Sequence, residues 1–382
     1  MPPLPRPRPI AQLPLPTALR RAVVVGAGSF GTAVAVLLAR GGMRTTLQTR
    51  TREQADALIE ARENREYLPG VELPRELRIE AASAGVARAE LVFLAVPSLG
   101  VGEVIAGLEQ AGLSRRAAVV SLSKGLVPPN GTPPTALLRE RFGPERIACI
   151  GGPAHAQEMV RDGAGLVAAS SDEALAAQLA AMFIRAGVVC EQSNDPVGVE
   201  LAGAAKNAAA LAAGATEAQG LNAAGAAAGH IFAEVWRYAE RFGARPESMI
   251  GLAGTGDLVA TALAPQSRNR RAGELLAQGV PAAEIPAQIG QAVESLESVP
   301  LLARALAGAG IDAPVNDALR RLIAGELPLD EWVALVRATV PPPARWRSRS
   351  RDRERGAWRR TWERVRSWFA GPGDEDRPPA LD

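Results

Sequence analysis

The chain has 382 residues, 47% hydrophobic and 22% charged, which is long enough for two hydrophobic cores and ordinary for a globular protein. Its formal net charge is +2 and residues 1–344 alone sum to −2, which argues against nucleic acid as a partner. Cys149 and Cys190 lie in apolar runs without metal or redox spacing, and with only two histidines no metal site is predicted.

The first 20 residues are rich in proline and arginine but lack the continuous apolar core of a signal peptide. No run of 18 apolar residues that could span a membrane occurs in the sequence. We therefore predict a cytoplasmic protein whose residues 1–20 form a disordered leader and whose two cysteines are buried free thiols.

The next segment predicts a strand, a glycine-rich turn and a helix. An apolar run at residues 22–25 leads into Gly26-Ala-Gly-Ser-Phe-Gly31, and residues 32–40 follow a buried helical pattern. This spacing after a strand is typical of dinucleotide binding, where Gly26, Gly28 and Gly31 permit a tight turn and the approach of a pyrophosphate. A glycine turn that binds no ligand is the alternative.

The second strand ends in Gln-Thr-Arg-Thr-Arg at residues 48–52, where NAD-preferring proteins place an acidic residue. Arg50 and Arg52 can instead pair with a 2′-phosphate through their guanidinium groups. We therefore expect NADP(H) to be preferred over NAD(H) as the cofactor. Two arginines that are only solvated on a loop are the alternative.

Further apolar runs predict strands, with amphipathic or alanine-rich stretches between most of them. This alternation indicates an α/β domain over residues 21–194, with a parallel, doubly wound sheet of the Rossmann type. Residues 195–340 favour helices without convincing strands, which predicts an all-α C-terminal domain that binds the substrate. The further predicted strands are 45–47, 91–96, 117–122 and 147–150, and the main C-terminal helices are 197–211, 223–242, 270–276 and 299–306.

Residues 199–207 begin the helical half, and a polar pair, Lys206 and Asn207, stands there in an otherwise alanine-rich stretch. Burying such a pair is costly unless its members find partners. Burial and nearby cations lower the pKa of a lysine, so Lys206 can exchange a proton with a substrate oxygen near neutral pH. A lysine whose ammonium group reaches solvent from a helix end is the alternative.

Residues 251–261 read Gly-Leu-Ala-Gly-Thr-Gly-Asp-Leu-Val-Ala-Thr and are followed by Ser267-Arg-Asn-Arg-Arg271. The glycines free backbone amides, Asp257 is a lone carboxylate among apolar residues, and the basic cluster lies where a helix is predicted to begin. This combination suits a small phosphorylated polyol. A glycine loop that caps a helix with solvated arginines is the alternative.

Residues 341–382 form an arginine- and tryptophan-rich tail after a run of three prolines, and residues 345–369 carry a net charge of +7. Trp358, Trp362, Val365 and Phe369 are spaced as on one face of a helix. An amphipathic helix in weak contact with anionic lipid is one interpretation. A tail that is disordered or packs on its own protein is the other.

Several motifs together resemble the bacterial NAD(P)-dependent glycerol-3-phosphate dehydrogenase family, from about residue 21 to 340. The resemblance implies a Rossmann domain, a helical domain, a homodimer, and reversible reduction of dihydroxyacetone phosphate to sn-glycerol 3-phosphate for phospholipid synthesis. Another hydroxyacid or polyol dehydrogenase of this two-domain plan, or a non-catalytic nucleotide-binding sensor, is the alternative. The motifs are Gly26-Ala-Gly-Ser-Phe-Gly31, Val96-Pro-Ser98, Ser123-Lys-Gly-Leu126, Gly152-Pro153, Glu200-Leu, Lys206-Asn207, Gly254-Thr-Gly-Asp-Leu258, Gln266-Ser-Arg-Asn-Arg-Arg271 and Glu294.

The resemblance also implies roles for single residues. Lys206 would be the general acid and base, Lys124 would touch both cofactor and substrate, and Asp257 would bind the substrate or orient Lys206. The other implied substrate contacts are Gly152, Ala154, Ser267, Arg268 and Asn269. The implied cofactor contacts are Gly26, Gly28, Ser29, Phe30 and Gly31 at the turn, Arg50 by the adenosine ribose, Arg268, and Ala156, Ala292 and Glu294 on the nicotinamide side.

The chain departs from the family pattern at Ala154, where a hydroxyl side chain is usual, and at His155, where an aromatic residue is common. One hydrogen bond to the substrate is therefore missing or replaced, a change of about 1 kcal/mol in binding free energy. His155 either supplies that bond or packs inside the protein. The segment 291–295 also lacks a glycine that usually follows Glu294.

Overall fold

The computed structural model describes residues 19–82, 85–264 and 266–340. The predicted tail, and the predicted leader except for its last two residues, lie outside these ranges. The described residues contain ten strands, eight of which form one sheet in the order β10-β9-β8-β7-β6-β1-β2-β5. The strands are β1 (Arg21–Val25), β2 (Arg44–Thr49), β3 (Glu63–Asn64), β4 (Leu68–Glu72), β5 (Arg78–Ala81), β6 (Leu91–Leu94), β7 (Ala118–Ser121), β8 (Ile147–Gly151), β9 (Gly165–Ser170) and β10 (Val189–Ser193).

Fifteen α-helices occur in the described residues, and from Pro196 onward no strand is found there. This is the Rossmann-type domain followed by an all-α domain that the sequence predicts. The helices are α1 (Ser29–Arg40), α2 (Arg52–Ala61), α3 (Val101–Gln110), α4 (Pro134–Phe142), α5 (Ala156–Arg161), α6 (Glu173–Arg185), α7 (Pro196–Thr216), α8 (Leu221–Arg241), α9 (Pro246–Ile250), α10 (Asp257–Leu263), α11 (Arg268–Ala277), α12 (Ile285–Ile289), α13 (Glu294–Gly308), α14 (Pro314–Ile323) and α15 (Leu329–Ala338).

The sheet is not entirely parallel, and the prediction of a parallel sheet is wrong at one pair. β9 runs antiparallel to β8, whereas the other strand pairs of this sheet are parallel. The connection from β8 to β9 contains only the six-residue α5. Such a helix rises about 9 Å, about half the length of a five-residue strand of about 17 Å, so the helix alone does not carry the chain back along β8. β9 therefore starts at the edge where β8 ends.

Four parallel strands place the candidate site at one edge of the sheet. Because β1, β6, β7 and β8 all run the same way, their carboxyl ends meet at the same edge. The chain leaves this edge at Gly26 after β1, Val96 after β6, Lys124 after β7 and Gly152 after β8. The strand order reverses next to β1, and this is the crevice in which doubly wound sheets bind their ligands.

Helix α7 is the central element of the helical part. Asp195 begins it by accepting a hydrogen bond from the Gly198 backbone N–H at 2.8 Å. Nearly all of its residues are buried, and its many alanines let α8, α11 and α13 pack closely around it. A buried core lies on each face of the sheet, and α7 belongs to a third core. The helix therefore carries Lys206 into a dry interior.

Both cysteines are buried free thiols, as the sequence predicts. Burial raises the pKa of Cys190 to about 12, so this thiol stays protonated and unreactive at neutral pH. Across the described ranges, none of the helices combines the length and the apolar character that crossing a membrane requires.

Candidate active site

Two lysines converge on one carboxylate where the sheet edge meets α7. The Lys124 Nζ donates to Asp257 Oδ2 at 2.7 Å, and the Lys206 Nζ lies 3.6 Å from Asp257 Oδ1. The side chains are 17% exposed for Lys124, 8% for Lys206 and 4% for Asp257. Lys124 also donates to the Gly152 carbonyl oxygen at 3.0 Å. A single carboxylate therefore contacts two ammonium groups that have little exposure to solvent.

Lys124 and Lys206 are the only lysines in the whole sequence, in which the other 41 basic residues are arginines. An arginine guanidinium holds its proton in proteins, whereas a buried lysine can release one near neutral pH. The one side chain type that both carries a positive charge and can release its proton when buried therefore occurs in this sequence only at positions 124 and 206. This points to chemistry that needs an exchangeable proton on an amine.

The surroundings of Lys206 favour such an exchange. Burial lowers the pKa of Lys206 first of all; Asp257 raises it, Lys124 lowers it further, and the net pKa lies below the ordinary lysine value. For Asp257, burial alone would raise the pKa, but Lys124 and Lys206 lower it, and the net pKa lies below the usual range. The carboxylate is therefore ionised at neutral pH, and the Lys206 ammonium is made more acidic than a free lysine.

The start of α10 sets the position of Asp257. A π-helical turn at Leu252–Gly256 precedes it, and π-turns of this kind are frequent at functional sites. Thr261, one turn further along α10, donates its hydroxyl proton to Asp257 Oδ1 at 3.3 Å. The carboxylate is thus held from two directions, by a lysine on one oxygen and by a threonine and the second lysine on the other.

A chain of amide side chains joins this cluster to α11 and α13. Asn207 Nδ2 donates to the Lys124 carbonyl oxygen at 3.2 Å and to Glu294 Oε2 at 3.2 Å. Its Oδ1 accepts from Asn269 Nδ2 at 2.8 Å, and Asn269 Oδ1 accepts from the Ser295 backbone N–H at 3.3 Å. Every member of this network fixes the next, so Asn207 holds the loop of Lys124 against the helical part.

The glycine turn after β1 lies beside the lysines. Gly26 has φ +109°, and a Cβ on it would lie 2.4 Å from the Ala95 carbonyl oxygen, so only glycine fits. A Cβ on Gly31 would lie 2.1 Å from the Gly26 carbonyl oxygen, which keeps α1 close to the strand. The Lys124 Nζ lies 5.7 Å from the centre of the Phe30 ring. This contact brings the turn and the lysine cluster into one site.

The other residues singled out in the sequence fall in three places. Ala154 and Ala156 pack against the core of the Rossmann-type domain, and between them the His155 Nε2 is buried with no hydrogen-bond partner in the described residues. The Ser267 hydroxyl caps α11 by accepting from the Arg270 backbone N–H at 3.4 Å. Arg268 donates to the carbonyl oxygen of Ala292 at 3.1 Å, and Arg50 is exposed after the end of β2.

Two residues of this site received no role from sequence reasoning, namely Thr261 and Asn207. Thr261 follows Asp257 by four residues, and the two share a face of α10. Because no helix was predicted over these residues, the spacing did not identify Thr261 as a partner of Asp257. Asn207 adjoins Lys206, and its cost of burial had indicated that it needs partners. Those partners lie 62 to 87 residues away in the sequence, so spacing alone could not identify them.

A doubly wound sheet with a glycine turn, next to a buried lysine and carboxylate on a helical domain, defines a nicotinamide-dependent dehydrogenase. Family models described as NAD-dependent glycerol-3-phosphate dehydrogenase N-terminus and C-terminus match residues 21–176 and 195–334. The chain belongs to the NAD(P)-dependent glycerol-3-phosphate dehydrogenase family of oxidoreductases, which act on a CH–OH group.

Individual relatives agree with this assignment. The chain is 41% identical over 307 residues to a glycerol-3-phosphate dehydrogenase [NAD(P)+] of Deinococcus radiodurans, covering 79% of this chain and 90% of the relative. A solved glycerol-3-phosphate dehydrogenase from Coxiella burnetii superimposes with a TM-score of 0.79 at 28% identity, covering 84% of this chain and 99% of that one. A ketopantoate reductase from Ralstonia eutropha shares only the fold, with a TM-score of 0.55 at 22% identity over 82% of this chain and 99% of that one.

Proposed function

We propose that the protein catalyses the reversible reduction of dihydroxyacetone phosphate to sn-glycerol 3-phosphate with NAD(P)H, and so supplies the glycerol backbone of phospholipids. The observation that carries this proposal is that a buried Lys206 and a partly buried Lys124 both contact Asp257 beside the glycine turn. A reduction of a carbonyl group needs a proton donor at the oxygen, and Lys206 has the environment of one. Family membership supports the choice of substrate.

The glycine turn fits a dinucleotide. A Cβ on Gly28 would meet no atom within 4 Å, so the turn leaves open space at the N-terminus of α1, where backbone N–H groups favour an anion. We propose that Gly26, Gly28, Ser29, Phe30 and Gly31 hold the pyrophosphate side of NAD(P)H. The network around Glu294, with Ala292 and Ala156, would line the nicotinamide side. The bound nicotinamide supplies the hydride.

Lys206 would act at the oxygen of the substrate carbonyl. In the direction of reduction, its Nζ donates a proton to the oxygen on C2 as that carbon accepts a hydride, so that a hydroxyl group forms. In the reverse direction, the neutral amine of Lys206 removes the same proton. Asp257 orients the amine, and Lys124 stabilises negative charge on the oxygen during the transfer.

The phosphate group of the substrate requires a separate set of contacts. Arg268 and Asn269 stand at the first turn of α11, next to the amide network, and Ser267 caps that helix. We propose that Arg268 and Asn269 bind the phosphate and that Gly152 contributes through the loop that Lys124 fixes. At Ala154 there is no side-chain hydroxyl to add a contact.

We expect purified protein to oxidise NADPH when dihydroxyacetone phosphate is added, because the site combines a proton donor with a dinucleotide turn. The decrease in absorbance at the nicotinamide band measures the rate. Ketopantoate serves as the control substrate, since the ketopantoate reductase from Ralstonia eutropha shares the fold. Cofactor binding without turnover of dihydroxyacetone phosphate would contradict the enzyme proposal and favour a nucleotide-binding sensor.

We propose that NADP(H) is preferred, on the basis of Arg50. This residue is exposed and follows the end of β2, where an adenosine ribose would lie. No acidic residue stands among residues 48–52 to bind the ribose hydroxyl groups.

Replacing Arg50 with alanine is expected to raise KM for NADPH about tenfold and to leave KM for NADH nearly unchanged, because one charge-assisted bond to the 2′-phosphate is lost. Steady-state kinetics with each cofactor measure the two KM values in wild type and variant. Arg52→Ala tests the second arginine that the sequence offers for the 2′-phosphate. Its side chain is 82% exposed and lies 3.8 Å from Asp56, so we expect a smaller rise in KM for NADPH than in Arg50→Ala. An equal rise in KM for NADPH and for NADH in Arg50→Ala would rule out this role for Arg50.

The homodimer, the cytoplasmic location and the domain boundaries at residues 20, 194 and 340 stay predictions from the sequence and the family. Membrane contact through the C-terminal tail concerns residues outside the described ranges and also stays a prediction.

A further inference from the structure

Asn64 connects the glycine turn to the first turn of α1 from outside the strand–turn–helix unit. Its Nδ2 donates to the carbonyl oxygen of Ala27 at 2.9 Å and to the hydroxyl oxygen of Thr32 at 2.8 Å. Its Oδ1 accepts from the backbone N–H of Tyr67 at 3.3 Å. The residue is only 2% exposed. A buried carboxamide with both its nitrogen and its oxygen engaged holds its partners in one arrangement.

The bond to Ala27 fixes the peptide unit between Ala27 and Gly28. The carbonyl and the N–H of a trans peptide point in opposite directions, so the Gly28 N–H points away from Asn64. Within the described ranges this N–H has no acceptor, and a Cβ on Gly28 would meet no atom within 4 Å. The turn therefore presents an unpaired backbone donor at the N-terminus of α1, next to the open space beside the Gly28 Cα.

The β3–β4 hairpin brings Asn64 to this position and keeps it there. The pairing of the two strands shifts register between Glu63 and Asn64, an irregularity of the kind that redirects a side chain. Glu63 Oε1 accepts from the Gly70 N–H at 2.8 Å across the hairpin. Gln157 of α5 donates to the carbonyl oxygen of Pro69 at 2.8 Å. The hairpin is thus tied both within itself and to the segment that follows Gly152.

We propose that Asn64 is a positioning residue for the cofactor, whose carboxamide sets the Ala27–Gly28 peptide in the orientation that binds the pyrophosphate of NAD(P)H. The inference rests on the proposed use of NAD(P)H. Asn64 acts through the turn and does not reach the lysine cluster through any of its hydrogen bonds. Removal of the Asn64 carboxamide weakens cofactor binding and leaves proton transfer at Lys206 unchanged.

The test is a titration of Asn64→Ala with NADPH in the absence of substrate, followed by the fluorescence of the bound nicotinamide. We expect Kd for NADPH to rise about five- to thirtyfold, because two hydrogen bonds that hold the turn are lost. Asn64→Asp retains the acceptor for Tyr67 but sets a carboxylate oxygen against the Ala27 carbonyl, so we expect at least as large a rise. At saturating NADPH, kcat of both variants should stay near the wild-type value.

Two controls separate positioning from general damage. Asn316→Ala removes another fully buried asparagine, whose Nδ2 donates to Glu234 at 2.7 Å, and it should lower Tm without changing Kd for NADPH. Adenosine 2′-monophosphate carries the 2′-phosphate but no pyrophosphate, and its Kd should be the same for wild type and Asn64→Ala. An unchanged Kd for NADPH, or equal weakening of both ligands, would overturn the proposal.

If Asn64→Ala does not fold, Thr32→Val provides the same test, since it removes one acceptor of the Asn64 carboxamide and nearly preserves the shape of the side chain. We expect a smaller rise in Kd for NADPH, about two- to fivefold, and an unchanged Kd would again overturn the proposal. Because binding is measured without substrate, a wild type that binds NADPH but does not reduce dihydroxyacetone phosphate would contradict only the proposed function.

Discussion

Replacing Lys206 with arginine is expected to lower kcat about 10²- to 10⁴-fold, although the positive charge is kept. The guanidinium holds its proton in proteins, so it cannot deliver one to the substrate oxygen at neutral pH. Lys206→Met, which removes the charge as well, should be at least as slow. Steady-state turnover of dihydroxyacetone phosphate with NADPH measures kcat, and Kd for NADPH from fluorescence should stay near the wild-type value.

Lys124→Arg is the matched control, because the two lysines share Asp257 and differ in their predicted roles. If Lys124 supplies charge and Lys206 supplies a proton, an arginine should be tolerated better at position 124 than at 206. Near-normal kcat in Lys206→Arg would exclude Lys206 as the general acid. An equal decrease in kcat in both variants would show that the size of the arginine side chain, and not the loss of proton exchange, causes the decrease.

Replacing Asp257 with asparagine is expected to lower both kcat and stability. One carboxylate balances the buried ammonium group of Lys206 and the partly buried one of Lys124. Removing one partner of a buried ion pair costs about 3–5 kcal/mol in the free energy of unfolding. Without the carboxylate, Lys206 also loses the partner that holds it. Urea unfolding measures stability, and steady-state kinetics measure kcat. Glu234→Gln, at another carboxylate that is 3% exposed, should lower stability and leave kcat unchanged.

The stability difference in Asp257→Asn should depend on pH. The folded-state pKa of Asp257 lies below its unfolded value of about 3.9, since Lys124 and Lys206 outweigh the effect of burial. Its contribution to stability is therefore fully present above that pH and disappears as the pH falls through the folded-state pKa. Urea midpoints of wild type and variant should differ most near neutral pH and converge in acid. A difference that grows in acid would contradict the ion-pair interpretation.

The sequence predicted those parts of the fold that depend on local pattern. The strand, glycine turn and helix around Gly26 follow from a hydrophobic run and a glycine spacing within twenty residues. The structure contains the predicted strand as β1 and the predicted helix as α1. The predicted strands did not include β3, β4, β5, β9 or β10. Val189 and Glu191 of β10 are exposed, so this edge strand lacks a long apolar run, and the direction of β9 depends on the length of the preceding helix.

The convergence of Lys124, Lys206 and Asp257 could not be predicted from spacing, because Asp257 lies 133 residues beyond Lys124. Only the resemblance to a family pointed to one composite site. Neither residue spacing nor the family resemblance indicated a role for Asn64. Its side chain acts through a register shift in a two-residue strand, and no local pattern in the sequence indicates where that shift turns the carboxamide.

The presence of only two lysines has a practical consequence for labelling. Apart from an α-amino group, every aliphatic amine of the protein lies at position 124 or 206. Reductive methylation with ¹³C-formaldehyde would therefore label only Lys124 and Lys206 besides that α-amino group, and the NMR signals of these two side chains could be followed through a titration with NADPH. Reagents that couple proteins to surfaces through lysine side chains can, for the same reason, react only at these two positions, whose side chains are 17% and 8% exposed.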